Sequence, residues 1–143
     1  MIFHRDHKTK LLKGVPLFKG CSDDELHKIA KHAAEVEFGD GETLLRAGTS
    51  GHEFLVLVEG HAEVVMGGEH LAEVGPGAYF GEISLLEQTR RTATVVAKGD
   101  VQVLAWDDEG FKRMLADVPT VRAKVNKQAF ERLANVEPDQ PAD

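Results

Sequence analysis

The sequence predicts a mainly β fold, a sandwich or barrel flanked by helices, and three observations carry it. From Glu35 to Trp106 the apolar pattern has a period of two, and glycines arrive at short intervals, among them Gly39, Gly41, Gly48, Gly60, Gly67 and Gly68. Many short strands broken by glycine turns stack into two layers or close on themselves, because each strand has an apolar face to cover. On either side of this region the period lengthens to three or four residues, which marks helices. The 143 residues fit one domain able to bury a substantial core.

Residues 1–34 read as a helical lead-in. Met1 to Gly20 is a short helical arm that breaks near Lys13 and Gly14, with Pro16 following, and Leu11, Leu12, Val15, Leu17 and Phe18 anchor it. Ser22 and Glu25 make a capping box, and Asp23 and Asp24 put negative charge in the first turn of a helix running to about Ala34. Leu26, Ile29, Ala30 and Ala33 are its apolar stripe. Within 35–106 the strands are drawn at 36–38, 43–45, 54–58, 62–66, 71–74, 92–97 and 101–106. Turns fall at 39–41, 48–51, Gly60 and Gly67-Gly68, the last fitting a two-residue hairpin with positive φ. Across 107–136, Asp107 and Asp108 cap a helix carrying Phe111, Met114 and Leu115 that stops before Pro119. A second helix runs from Thr120 to about Asn135 with Val121, Val125, Ala129, Leu133 and Val136 on one stripe. Residues 137–143, with two prolines and three acidic residues, read as a disordered tail.

The chemistry concentrates between Gly77 and Ala97, GAYFGEISLLEQTRRTATVVA. Gly81 and Glu82 open the run Ile83-Ser84-Leu85-Leu86, long enough for one helical turn, and the N-terminus of such a turn offers unpaired N–H groups to an anion. Arg91 stands at the start of a strand. A guanidinium facing a helix N-terminus suits one phosphate, since both aim donors at oxygens. The Glu82 carboxylate beside the same spot accepts, and so suits a sugar hydroxyl.

The order FGEISLL followed by RTATV closely resembles the phosphate-binding cassette of cyclic-nucleotide-binding domains, the family of cAMP-dependent kinase regulatory subunits, the catabolite activator protein and cyclic-nucleotide-gated channels. The lead-in Leu12-x-x-Val15-Pro16-Leu17-Phe18, followed by a capped helix, resembles that family too, so the likeness covers roughly residues 11–118. It implies an eight-stranded antiparallel jelly-roll barrel with the cassette, residues 77–97, interrupting two of its strands. It implies that Arg91 pairs with the exocyclic oxygens of a cyclic phosphate and that Glu82 accepts the ribose 2′-hydroxyl. The backbone around Gly81, Glu82 and Ser84 would complete the anion site. Thr92 would bond the phosphate and can reach the amino group of a syn guanine, which leaves the base open; the expected ligand is cAMP or cGMP, with cAMP favoured because family members with threonine at this position frequently accept it. Phe80, Ile83, Leu85 and Ala93 would line the pocket. Phe130 and Leu133, on the C-terminal helix, are the candidates to stack over the base as that helix closes. The competing reading of the same stripe is packing on the barrel or pairing with its copy in a homodimer.

Other classes are weaker. Seventeen basic against 24 acidic residues give a net charge of −7, which disfavours nonspecific attraction to nucleic acid or anionic lipid. No apolar run approaches the ~20 residues of a membrane span, and the N-terminus lacks a signal-peptide core, so a cytoplasmic protein is expected. The single cysteine, Cys21, precludes an intramolecular disulfide and reads as a small packing residue. The seven histidines include no pair separated by one residue, as a metal-binding jelly roll would need, so neither metal nor cofactor is expected. No serine or cysteine sits in a nucleophile elbow, and Glu82 with Arg91 looks built for holding rather than reacting, so no enzyme is expected. A helix-turn-helix needs about 60 or more further residues after the last helix, and with the acidic charge direct DNA binding is not expected. Two functions from different classes remain: a free-standing cyclic nucleotide sensor acting on a protein partner, and a scaffold or interaction module of the same fold without useful nucleotide affinity.

Overall fold

Ser22 and Glu25 fold as their spacing dictates. In the structure, a computed structural model, Ser22 Oγ accepts from the Glu25 N–H at 3.1 Å and the Glu25 carboxylate accepts from the Ser22 N–H at 2.9 Å. The structure describes residues 3–48, 53–81 and 93–136, with side chains for 7–48, 53–81 and 93–128. The helices are α1 (Phe3–Lys13), α2 (Asp23–Lys31), α3 (Asp108–Asp117) and α4 (Pro119–Val136), with a 3-10 turn at Pro16–Phe18. The strands are β1 (Ala34–Phe38), β2 (Thr43–Leu45), β3 (Glu53–Met66), β4 (Glu69–Val74), β5 (Tyr79–Phe80) and β6 (Thr94–Asp107). The expected helix boundary at Ala34 moves back: α2 ends at Lys31, and Ala34 already pairs with Ala105 in the sheet. Asp107 caps α3, its carboxylate accepting from the Gly110 N–H at 2.7 Å. Pro119 sits at the start of α4, where its missing N–H costs nothing.

The described residues form six strands in one antiparallel sheet rather than the seven drawn from periodicity. Gly60 is not a chain reversal. β3 runs straight through it for 14 residues, and Gly60 takes φ 92°. A Cβ there would collide with the Asp100 carbonyl and lie 2.8 Å from Val101 Cγ1, so glycine is required where β3 and β6 cross closely. The same crossing keeps 94–98 and 101–107 in one strand, β6, with pairing shifts between Leu57 and Glu59 and between Glu59 and His61. Tyr79–Phe80 pairs with Leu55 and Val56 and escaped notice because two residues carry no period. The Gly67-Gly68 hairpin is as expected, both glycines having positive φ (60° and 82°) between Met66 and Glu69.

The pairings sort into two groups of four strand segments. The first half of β3 lies between β5 and the second half of β6, which in turn pairs with β1. The second half of β3 lies between β4 and the first half of β6, which pairs with β2. Side chains from both groups meet in one apolar cluster: Leu55, Phe80, Val101 and Val103 from the first, Leu45, Ala62, Val95 and Ala97 from the second. Alternate residues of the first group, Phe54, Val56, Leu104 and Trp106, point the other way into a cluster with Leu12, Phe18, Ile29, Phe111 and Val121 of the helices. Trp106 is fully buried, stacks obliquely with Phe18 and Phe54 (ring centroids 6.1 and 5.7 Å apart), and donates its indole N–H to the Ile29 carbonyl at 2.9 Å.

Candidate functional site

The segment that carries the expected chemistry lies between β5, which ends at Phe80, and β6, which begins at Thr94. On the way in, the Gly77 N–H donates to the Leu57 carbonyl and the Leu57 N–H to the Ala78 carbonyl, both at 2.8 Å, so the loop is stitched to β3 before β5 begins. Phe80 then buries its ring in the inter-layer cluster, 7% exposed, so this expected pocket residue also anchors the core. Gly81 follows with φ 98°, a conformation that costs other residues strain, and it turns the chain off the strand direction. On the way out, Ala93 is half-buried, and Thr94 is registered opposite Val65 while its hydroxyl accepts from the Ala47 N–H at 3.0 Å. Val95 and Val96 then pair with β2.

The two anchors therefore lie on different groups of strands: Phe80 beside the first half of β3, Thr94 beside its second half. Glu82, Ile83, Ser84, Leu85, Arg91 and Thr92 lie outside the described residues, as do His52 and the tail 137–143. Phe130 and Leu133 fall on α4, with side chains outside those described. Of the expected site, the structure thus gives the frame, Phe80, Gly81 and Ala93, with Phe80 in the apolar cluster shared by the two groups of strands.

Burial, and then the Glu25 carboxylate, push the Cys21 thiol up, while the Lys124 ammonium pulls it partly back, so the environment favours the thiol over the thiolate. His70 pairs with Glu63, and His7 with Glu35 at 3.2 Å, both on the surface. No group of three or more histidine, cysteine or acidic side chains among the described residues is arranged to hold a metal ion. Among them, too, no helix is long and apolar enough to cross a membrane. Sequence reasoning missed two features beside the site. Gly77 faces Pro16, and Lys124 reaches the 3-10 turn. The second has a signal in the sequence, a lysine in line with the buried positions Val121 and Val125.

Comparison with known proteins gives the same frame. The cyclic nucleotide-binding domain model matches residues 35–118, which run from the second residue of β1 through α3 and include the whole segment between the anchors. The cAMP-dependent protein kinase regulatory subunit of Blastocladiella emersonii is 33% identical over 138 residues, covering 90% of this chain and 34% of that protein. The chain spans 25% to 34% of the length of the first two curated relatives it matches. A solved structure described as Sp-2Cl-cAMPS bound to PKAR CBD2 superposes with a TM-score of 0.80 at 26% identity, covering 94% of this chain and 92% of that one. A regulatory subunit of a cAMP-independent protein kinase A from Trypanosoma brucei superposes with a TM-score of 0.80 at 25% identity, covering 94% of this chain and 50% of that one. Strand pairing, the two anchors and these likenesses agree, and the chain belongs to the cyclic nucleotide-binding domain family.

Proposed function

We propose that this chain is a cyclic nucleotide sensor that binds cAMP in the segment between Gly81 and Ala93 and regulates a protein partner through α4. The observation that carries the reading is the match over residues 35–118, which contains Glu82 and Arg91 in the order and spacing of a phosphate-binding cassette. In this reading Arg91 holds the cyclic phosphate with the backbone N–H groups at Gly81, Glu82 and Ser84. Thr92 adds a hydroxyl to the phosphate and tolerates a guanine, so cGMP is the second ligand. Glu82 accepts the ribose hydroxyl. Phe80, Ile83, Leu85 and Ala93 form the wall, and Phe130 or Leu133 covers the base. The positive φ of Gly81 and the anchoring of Phe80 and Thr94 on different groups of strands are consistent with this arrangement.

The fold proposed for the sensor is an eight-stranded jelly roll in which β3 and β6 each contribute two strands, one to each layer. The register shifts around Gly60 and the single apolar cluster between the groups support it. No cofactor or catalysis is part of the reading, which sets the protein in the cytoplasm, without direct DNA binding. The partner class is a protein kinase, by likeness to regulatory subunits; self-association through α4 is a further route of output.

Each charged hydrogen bond from Arg91 to phosphate should contribute about 1.5–3 kcal/mol, so Arg91→Ala should weaken cAMP binding by about ten- to a few hundred-fold. Calorimetric titration of both proteins with cAMP and cGMP checks this, and equal affinities would remove Arg91 from the site. A second reading, the same fold without useful cyclic nucleotide affinity, is favoured by the likeness to a subunit described as belonging to a cAMP-independent kinase. A thermal melt decides between them. Ligand that binds only the folded state raises stability by RT ln(1 + [L]/Kd), so an unmoved melt at millimolar cAMP and cGMP selects the second.

A further inference from the structure

α4 reaches the N-terminal helices through a polar contact that its apolar stripe does not account for. Val121 and Val125 are fully buried in the helical cluster. Lys124 lies on the same face, three residues from one and next to the other, and is half-buried. Its ammonium nitrogen stands 3.3, 3.4 and 3.1 Å from the carbonyl oxygens of Pro16, Leu17 and Lys19. An ammonium has three donors and no acceptor, and the carbonyls of a helical turn gather partial negative charge at its C-terminal end. The side chain therefore runs its stem along the apolar face and spends its donors on the 3-10 turn.

The ring of Pro16 in the same turn meets the loop that leads into β5. A Cβ on Gly77 would lie 3.1 Å from Pro16 Cδ, and Gly77 itself is bonded to Leu57 of β3. The turn thus contacts both α4 and the approach to Gly81. We infer that Lys124 is a positioning residue, an ammonium clasp that joins α4 to the 3-10 turn so that the C-terminal helix, the turn and the Gly77 loop move as one body. For its effect on ligand this rests on α4 serving as the lid; for its mechanical effect it does not.

Hydrogen exchange of the full chain without ligand tests the clasp. Lys124→Met keeps the apolar stem and removes the donors, and Lys124→Arg keeps donors and charge. In wild type the amides of Lys19, Cys21 and α4 should share one opening rate. In Lys124→Met both sets should exchange about tenfold or more faster than wild type and no longer together, while β3 and β6 amides keep their protection. Lys124→Arg should restore the joint behaviour. Unequal rates in wild type, an accelerated α4 with an unchanged turn, or an arginine variant no better than methionine would overturn the clasp. Adding cAMP then separates the two claims. A wild type whose exchange does not respond counts against nucleotide binding alone, whereas a response of α4 that leaves the turn and the Gly77 amide untouched counts against the clasp.

Discussion

β3 and β6 cross two environments, and the contrast between their halves explains where the stability resides. In the helix-covered half, Phe54 to Leu57 and Val103 to Trp106 are buried on both faces, one set against the helices and one against the other layer. In the other half, Ala62, Val95 and Ala97 face the interior while the opposite face carries surface pairs, Glu63 with His70 and Glu73 with Lys98, and the exposed Leu71. One pair of strands thus serves as core sheet at one end and as half-solvated sheet at the other. The candidate site segment is anchored at Phe80 on the first half and at Thr94 on the second, so its two ends are tied to regions of unequal burial.

The largest expected effect is on the covered side. Trp106→Ala removes a fully buried ring and a hydrogen bond to α2, and should cost about 3–5 kcal/mol of unfolding free energy by urea titration. A loss within about 1 kcal/mol would erase the contrast between the halves, since single exposed positions move stability as little as that. Gly60→Ala acts on the crossing that both halves share. Positive φ and the collision with Asp100 and Val101 should cost about 2–4 kcal/mol, and hydrogen exchange should accelerate in both halves alike. Acceleration confined to one half would mean the crossing does not couple them. Smallest is Glu73→Gln on the open face. The pair to Lys98 is 3.2 Å long with both side chains about half exposed, so the expected loss is below about 1 kcal/mol and should vanish in high salt.

The pattern of what sequence reasoning read correctly follows the same divide between local and distant causes. The Ser22/Glu25 box, the Asp107 cap and the Gly67-Gly68 hairpin are settled within a few residues, and each stands where spacing put it. Gly60 was misread as a turn because a positive-φ glycine looks alike in a reversal and in a bulge; only the partner strand, 40 residues away at Asp100, distinguishes them. Tyr79–Phe80 was invisible because its strand identity comes entirely from Leu55 and Val56. For the site, Glu82, Arg91 and Thr92 were legible as candidates from their identity and spacing, whereas the place of Lys124 on the α4 stripe is visible but the carbonyls it meets, more than 100 residues away, are not.

The linear chain by itself determined the family, the period-two alternation of a mainly β region and the helix caps, because these depend on side-chain type and on neighbours a few positions apart. Tertiary structure alone decided that two 14-residue strands each serve both groups, which face of each is covered by helices, and that the two ends of the site segment stand on different groups. The reason is physical: burial and close approach are properties of pairs of segments, and a segment's partner is chosen by the packing of the whole molecule.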